Sequence, residues 1–261
     1  MFEVFKNYNN LIIGFSEKKD GPMKNSVQNR KKFFNKLKID KELIVRADLV
    51  HKNKVKLIPK KGAGRLIEKT DGLITKEKNI FLTITTADCL PIFIYDPKKE
   101  IIGLIHGGWR SLAGNILKEA INKIINNFKS NPAHILIGIG PGISQCHFEI
   151  KFEAEKDPLQ KLCDRIIFAQ GVVLKRDNKS PHFKDLFFTP SQTNGVLKKW
   201  GDKIFLDLKE LAKLQLIELG IKEENIEISS ECTFCLKDKY FSYRRDKPEQ
   251  IKTMLAIIGQ K

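Results

Sequence analysis

The sequence predicts a mixed α/β domain in which helices and strands interleave without strict βαβ alternation. Three short runs rich in β-branched and aromatic residues lie in the middle of the chain, at 80–85, 90–95 and 101–106. Amphipathic helical patterns lie before and after them. The length of 261 residues and the hydrophobic content of 41% suffice for one large domain, 1–261, with a sizeable core.

The first half of the chain supplies most of the predicted elements. Residues 29–37 predict a basic amphipathic helix. The three central runs lie so close in sequence that they predict an antiparallel meander. The glycine pair after the third run ends it, and Ser111 is expected to cap a helix that reaches about residue 128.

The second half begins with a strand and a glycine-rich loop at 140–142. Residues 153–200 give no clear pattern. A clear helix is predicted at 207–219, with Gly220 as its C-terminal stop. Strands are predicted at 134–139, 225–229 and 253–258.

The net charge of +16 admits a nucleic-acid or phosphate partner. However, Lys greatly outnumbers Arg, and the basic clusters follow no recognised binding motif. We therefore interpret the charge as mostly solvated surface, which can still attract anionic substrates. No nucleic-acid partner is expected.

The chain also lacks the features of an exported or membrane protein. No apolar run approaches the ~20 residues of a membrane span. The N-terminus has no basic start followed by an apolar stretch, so no secretion signal is predicted. Five scattered cysteines do not suggest a disulfide framework. We expect a cytoplasmic protein without a membrane partner.

Candidate metal ligands lie near the ends of predicted strands. Cys89 follows the first central run, and His106 ends the third. Thiolate and imidazole are good zinc ligands, and His51 is a possible third, which would leave one position open for water. By spacing alone, a buried cysteine and a strand-end histidine are more often structural.

Glycines and arginines mark candidate anion sites. The run Gly107-Gly108-Trp109-Arg110 lets backbone approach a ligand closely and precedes a predicted helix. A tight turn with a surface arginine explains Arg110 equally well. The adjacent Arg244 and Arg245 can bind phosphate or form a surface ion pair with Asp246.

Two further motifs imitate a zinc deaminase signature. His147 and Glu149 have the H-x-E form, and Cys232 and Cys235 have the C-x-x-C form. Glu231 stands where that signature has proline, and the separation between the two motifs is very long, so the sequence does not favour this interpretation. The C-x-x-C could be half of a zinc site or a redox pair, but no second pair is evident to complete it and no thioredoxin-like context surrounds it.

Several short motifs occur in a fixed order along nearly the whole chain: TADCLP, HGGWR, IGP, CT and FSYRRD, at 86–91, 106–110, 139–141, 232–233 and 241–246, with further matches at 14–16, 29–30 and 71–75. Read together, they resemble the multicopper polyphenol oxidase, or laccase-domain, family. Members are described as purine nucleoside phosphorylases, and some are named peptidoglycan editing factors.

The resemblance implies a layered α-β-β-α domain and a metal site. By motif, the metal ligands fall on His51, Cys89 and His106. The implied metal is Zn2+, with copper possible. The implied chemistry is phosphorolysis of adenosine, inosine and methylthioadenosine, together with adenosine deamination. The resemblance also suggests a homodimer.

The catalytic and binding roles extend this resemblance. Cys89, Asp88 and Arg110 are assigned to catalysis, with Asp88 as a proton shuttle or an orienting group. Arg110 is the preferred phosphate clamp, and Ser16, Arg244 and Arg245 are further candidates for binding nucleoside or phosphate.

The sequence departs from the family pattern around these motifs. Leu49 and Lys52 flank His51 where the family has other residues, Ile13 and Glu17 differ near the start, and Lys247 replaces a glycine. Three alternatives follow from the resemblance and the charge. They are a copper-dependent phenol oxidase, a peptidoglycan-editing hydrolase and, last, a nucleic-acid-binding protein. Five histidines without an H-x-H pair argue against a multicopper cluster.

Overall fold

A computed structural model describes residues 2–150 and 195–261, so most of segment 153–200 and Cys163 lie outside the described residues. In chain order the strands are β1 (Leu11–Phe15), β2 (Ile44–Ala47), β3 (Val55–Leu57), β4 (Leu66–Ile67), β5 (Gly72–Thr75), β6 (Ile80–Thr86), β7 (Leu90–Asp96), β8 (Ile101–Gly107), β9 (Leu136–Ile139), β10 (Glu149–Ile150), β11 (Leu197–Trp200), β12 (Lys203–Leu206), β13 (Ile226–Ile228) and β14 (Met254–Gln260). The α-helices are α1 (Val27–Lys36), α2 (Trp109–Ala113), α3 (Ile116–Phe128), α4 (Leu208–Glu218) and α5 (Tyr243–Asp246).

Two large sheets form the centre of the molecule. The first has the order β1-β14-β6-β2-β4, and the second has the order β13-β9-β7-β8-β5-β3. In the first sheet, β14 is antiparallel to β1 and β6, whereas β6, β2 and β4 are parallel to one another. In the second sheet, the four central strands are antiparallel and each edge strand is parallel to its neighbour. A third, small sheet has the order β10-β12-β11.

The alternation of side chains along the central strands sorts them between separate cores. In β7, Phe93 packs into the cluster between the two sheets, whereas Ile92 and Ile94 pack into the cluster beneath α3 and α4. In β6, Leu82 faces the space between the sheets, and Phe81 faces α1. Each sheet therefore has two buried faces, and the strands read as nearly continuous apolar runs.

These cores define four layers, which are α1, the first sheet, the second sheet and the pair α3 and α4. The mixed α/β class and the α-β-β-α layering expected from the sequence are confirmed. Helix α1 begins after Ser26, whose hydroxyl accepts a hydrogen bond from the amide of Asn29, as expected of an N-cap.

Two local predictions are wrong. The run 80–86 does not join a meander with β7 and β8, because it pairs with β14 and β2 in the other sheet. Ser111 does not cap a long helix, since it is buried inside the short helix α2. Asn115, with a φ of 62°, interrupts the right-handed helical conformation there and separates α2 from α3.

Other elements agree with prediction to within a few residues. The helix predicted at 207–219 is α4, which Asp207 caps and Gly220 follows with a φ of 88°. None of the helices in the described part of the chain combines the length and the apolar character that a bilayer crossing requires.

Candidate metal centre

Three side chains distant in sequence meet at one end of the second sheet. His51 follows β2, Cys89 lies in the bend between β6 and β7, and His106 lies near the end of β8. Their ligand atoms all lie within 4.8 Å of one another. We call these three residues the cavity cluster.

Strand register brings two of the three together. In the antiparallel ladder of β7 and β8, Pro91 is opposite His106 and Leu90 is opposite Gly107. Cys89 is the next residue along the chain, so its thiol lies beside the imidazole of His106. His51 reaches the same point in a left-handed conformation with a φ of 57°.

The carboxylate of Asp71 organises both histidines. It is fully buried and accepts hydrogen bonds from the backbone amides of Val50, His51 and Lys52 at 2.8–3.2 Å. Its Oδ1 also lies 3.0 Å from Nδ1 of His106. This contact leaves Nε2 of His106 as the ring nitrogen available to a metal, as in carboxylate–histidine–zinc arrangements.

The charges of these groups support one another. Burial opposes ionisation of Cys89, but the imidazoles of His106 and His51 outweigh it and lower the pKa of the thiol to about 6. Burial likewise opposes protonation of His106, but the Cys89 thiolate and Asp71 outweigh it and raise the pKa of the imidazole to about 9. The thiolate form of Cys89 and the imidazolium form of His106 therefore stabilise each other.

The residues fit a divalent metal. Two imidazoles and one thiolate are a donor set that zinc accepts, and three protein ligands leave a position for an exogenous group. Gly108 covers the cluster closely, since a β-carbon there would lie 3.2 Å from Sγ of Cys89 and 3.4 Å from Cε1 of His106. A side chain at this position would crowd the ligands, which explains the glycine.

The cavity cluster lines a cavity of about 890 Å³, a size suited to a small organic ligand. The cavity wall is strongly cationic and also carries aromatic rings. The lining includes Lys24, Arg30, Arg46, Arg110, Arg244, Trp109, Phe148 and Tyr243.

Two of the arginines predicted to bind substrate lie in this wall. The guanidinium of Arg110 stacks on Trp109 at 4.2 Å from the ring centre. The guanidinium of Arg244 lies over Phe148 and donates to the carbonyl of Glu149 at 2.8 Å. Both are held by neighbours and keep further N–H donors for a ligand.

Asp88 borders the cavity, but its carboxylate is bound to protein. It accepts hydrogen bonds from the hydroxyls of Thr233 and Ser242 at 2.7 and 3.0 Å and from the amide of Arg244 at 2.7 Å. Its φ of 88° is unusual for a residue other than glycine. These bonds hold the strained turn that presents Cys89, which favours the orienting role over the proton shuttle.

The structure does not bring the other two predicted binding residues to the cavity wall. The hydroxyl of Ser16 is fully buried and accepts a hydrogen bond from the amide of Leu255. The guanidinium of Arg245 donates to the carbonyls of Thr233, Phe234 and Tyr240. Both side chains thus brace the backbone next to the site.

Sequence reasoning missed two arginines of the cavity wall. Arg30 lies on α1, where it donates to the carbonyls of Met23 and Lys24, and Arg46 lies on β2. Burial and the nearby charge of Arg46 lower the pKa of Arg30. The motif Asn29-Arg30 was a signal for the first residue, but no sequence feature distinguishes Arg46 from other basic residues.

A second cluster of ligand-type side chains lies outside this cavity. Cys146, His147, Cys232 and Cys235 offer ligand atoms that all lie within 4.8 Å of one another. The expectation that no second pair completes the C-x-x-C motif is therefore wrong, because Cys146-His147 is that pair. We call these residues the four-ligand cluster.

Comparison with known proteins defines the class. The family of multi-copper polyphenol oxidoreductase laccases matches residues 6–261, so this chain belongs to that family. Among curated proteins, it is 31% identical to the purine nucleoside phosphorylase YlmD of Bacillus subtilis over 242 residues, which cover 90% of this chain and 77% of the relative. It is 28% identical to the purine nucleoside phosphorylase YlmD of Geobacillus stearothermophilus, over 90% of this chain and 78% of the relative.

Solved structures agree on the fold. The hypothetical protein YfiH of Bacillus licheniformis superimposes with a TM-score of 0.78 and 26% identity, over 97% of this chain and 94% of that one. YlmD of Geobacillus stearothermophilus superimposes with a TM-score of 0.80 and 24% identity, over 98% of this chain and 94% of that one.

Proposed function

We propose that this protein is a zinc-dependent purine nucleoside phosphorylase, which converts a purine nucleoside and phosphate into the free base and ribose 1-phosphate. One observation carries the proposal. The cavity cluster borders a small-molecule cavity whose wall combines several arginines with aromatic rings. The names of the two YlmD relatives point to the same reaction.

The arginines suit phosphate. Guanidinium groups bind phosphate oxygens through paired N–H donors, and they keep their charge at all physiological pH values. Arg110 and Arg244 are held by Trp109 and Phe148, so little side-chain freedom is lost when an anion binds. Arg30 and Arg46 add to the positive potential of the cavity.

The aromatic rings suit the base. Trp109, Phe148 and Tyr243 line the same cavity, and a purine stacks favourably on such rings. In phosphorolysis a phosphate oxygen bonds to C1′ of the ribose while the bond from C1′ to N9 breaks. The electron pair of that bond leaves with the base, which takes up a proton. The protein accelerates this exchange by holding both reactants in line.

His51, Cys89 and His106 would hold the zinc. When bound, zinc supplies a Lewis acid and lowers the pKa of a coordinated water toward ~7. Asp71 keeps His106 in the tautomer and orientation that a metal needs. Asp88, bound by Thr233, Ser242 and Arg244, holds the turn of Cys89 and one wall of the cavity in a fixed relation.

We extend the proposal to a second activity, the hydrolytic deamination of adenosine, because the candidate metal centre opens on the same cavity.

The alternative functions require different ligands or substrates. A multicopper oxidase needs many histidine ligands. This chain has only five histidines, and two of them belong to the cavity cluster. A peptidoglycan-editing hydrolase would act on muropeptide-like substrates rather than nucleosides.

Product analysis tests the proposal. Purified zinc-containing protein is incubated with inosine, adenosine or methylthioadenosine, with and without phosphate. We expect free base and a sugar 1-phosphate only when phosphate is present: ribose 1-phosphate from inosine and adenosine, and 5-methylthioribose 1-phosphate from methylthioadenosine. Inosine should form from adenosine under both conditions. Parallel incubations with a phenol and with a muropeptide test the alternatives. Turnover of either one, without any phosphorolysis, would refute the proposed function.

A further inference from the structure

The structure assigns a second zinc site, separate from the cavity, to the four-ligand cluster of Cys146, His147, Cys232 and Cys235. This inference does not depend on the proposed reaction. It rests on the distances among the four ligand atoms, on the backbone that surrounds them and on the charge nearby.

The distances match a tetrahedral ion. Zinc with bonds of about 2.3 Å to sulfur and about 2.0–2.1 Å to nitrogen separates two sulfur ligands by about 3.8 Å and a sulfur from a nitrogen by about 3.5 Å. Sγ of Cys146 lies 3.9 Å from Sγ of Cys232 and 3.7 Å from Sγ of Cys235. Nδ1 of His147 lies 3.1 Å from Sγ of Cys146 and 3.3 Å from Sγ of Cys235.

The backbone supports thiolate at the most buried ligand. The amide of Ser144 donates to Sγ of Cys232 at 3.4 Å, and the amides of Phe234 and Cys235 point at the same sulfur. Amide donors of this kind stabilise negative charge on a ligand. The ring of His147 is fixed as well, because it stacks on Phe234 with ring centres 4.0 Å apart.

A buried cation balances the charge. Three thiolates and one Zn2+ carry a net charge of about −1. Lys209, which is 6% exposed, extends its ammonium group to this region. It donates to the hydroxyl of Ser144 and to the carbonyls of Ser229 and Glu231, within electrostatic range of Cys232 and Cys146.

A disulfide does not explain the arrangement. It would join two sulfurs at about 2.05 Å and would not account for the positions of the third thiol and the imidazole. Here all three cysteines are free, and each of the two measured sulfur separations suits ligands that share one ion. Soft thiolates with one imidazole in a tetrahedral set select zinc over magnesium or calcium.

The proposed zinc ion would cross-link two segments of the chain. Cys146 and His147 follow β9, and Cys232 and Cys235 lie in the loop between β13 and α5. Between the segments, the amide of Thr233 donates to the carbonyl of Gly142. Four protein ligands leave no open position, so the proposed role is structural.

Zinc counting tests the inference, and all variants are made in the full chain under reducing conditions. We expect two zinc ions per chain in the wild type, one in Cys89→Ala, one in Cys235→Ser and none in the double variant. The control His134→Gln, at a histidine outside both clusters, should keep two. X-ray absorption of Cys89→Ala should give three sulfurs and one nitrogen around zinc.

The inference is overturned if Cys235→Ser holds as much zinc as the wild type, or if Cys89→Ala holds none. A second measurement needs no change in the four-ligand cluster. In Cys89→Ala protein, a chelator should speed alkylation of Cys146 and Cys235 at least tenfold, and equal rates with and without chelator would contradict the proposal. Failure of phosphorolysis alters none of these results, so the two proposals are separable.

Discussion

The two Cys/His clusters differ in ligand number and in what lies beside them. The cavity cluster has three ligands and opens on a cavity with a cationic wall. The carboxylate of Asp71 holds the backbone of His51 and the ring of His106. The four-ligand cluster has four ligand-type side chains, enough to complete the tetrahedral set proposed for it, and backbone amides are directed at one of its sulfurs. An incomplete set beside a cavity suits reaction, whereas a complete set between two loops suits stability.

This contrast predicts that mutations in the two clusters have opposite effects on turnover and on stability. Loss of a cavity ligand should reduce turnover more than stability, and loss of a ligand in the other cluster should do the reverse. The four-ligand cluster nevertheless borders the same region of chain, because Thr233, next to Cys232, binds Asp88 at the cavity. Each prediction below tests how far the two clusters act independently.

The largest effect is expected for Cys89→Ala. The variant removes the thiolate between the two imidazoles, so we expect kcat/KM for phosphorolysis to fall more than 100-fold. Loss of an outer partner alone typically costs 10–100-fold. Steady-state assays with inosine measure the effect, and Cys235→Ser serves as the matched cysteine control. Full activity in Cys89→Ala would refute the assignment of the metal ligand.

The next effect is on stability. Cys235→Ser should lower the free energy of unfolding by about 3 kcal/mol, since metal binding to a structural site contributes directly to folding. For a chain of this size, the thermal midpoint should fall by roughly 6–12 °C. Scanning calorimetry of the zinc-loaded variant and of wild type gives the comparison. An unchanged midpoint would show that this cluster contributes nothing to the fold.

Asp71→Asn should reduce zinc affinity at the cavity cluster by about 10–100-fold. Asparagine keeps the shape but has one oxygen in place of two for the amides of Val50, His51 and Lys52 and for the ring of His106. Competition with a chromophoric chelator measures the affinity. The exposed Asp202→Asn is the matched control, and equal affinities in both variants would contradict the organising role of Asp71.

Arg110→Lys should raise KM for phosphate by roughly tenfold and leave KM for the nucleoside nearly unchanged. Lysine keeps the charge but loses the paired donors and the planar stacking on Trp109. Initial rates at varied phosphate give the result. Arg65→Lys, at an exposed position outside the cavity wall, should behave as wild type.

The smallest effect is expected for Asp88→Asn. Asparagine tolerates positive φ and can keep two of the three hydrogen bonds, so we expect a loss of about 1 kcal/mol and a midpoint lower by 2–4 °C. Turnover should fall no more than a few-fold. A loss of kcat above 100-fold at an unchanged midpoint would instead restore Asp88 as a proton shuttle.

Local patterns in the sequence were enough to predict the long central strands and the three longest helices, but not β1 to β5 or the short strands β10 to β12. The apolar runs at β7, β8 and β9 and the amphipathic pattern of α4 have the periodicities of buried strands and of a helix packed on a sheet. Assignment of β6 to its sheet failed because close spacing in sequence favours a hairpin, whereas the pairing with β14 depends on a partner far along the chain.

The ligand residues of the two clusters also differ in how far the sequence could predict them. Cys89 and His106 stood out by their positions at strand ends, but His51 required the family resemblance, because its link to them runs through Asp71. Cys146 was overlooked for a similar reason. Its partners Cys232 and Cys235 lie far along the chain, and the bridge between Gly142 and Cys232 that aligns them cannot be read from spacing.

The register of β7 against β8 has a further consequence for the chemistry. A slip by a single residue would turn Ile92 and Phe93 toward the wrong faces, so two separate cores oppose it. The same pairing fixes His106 opposite Pro91, two residues from Cys89. The geometry of the candidate metal centre is thus set in part by apolar core residues such as Ile92 and Phe93, which belong to neither ligand cluster. Variation in the apolar interior should shift metal affinity before it unfolds the chain.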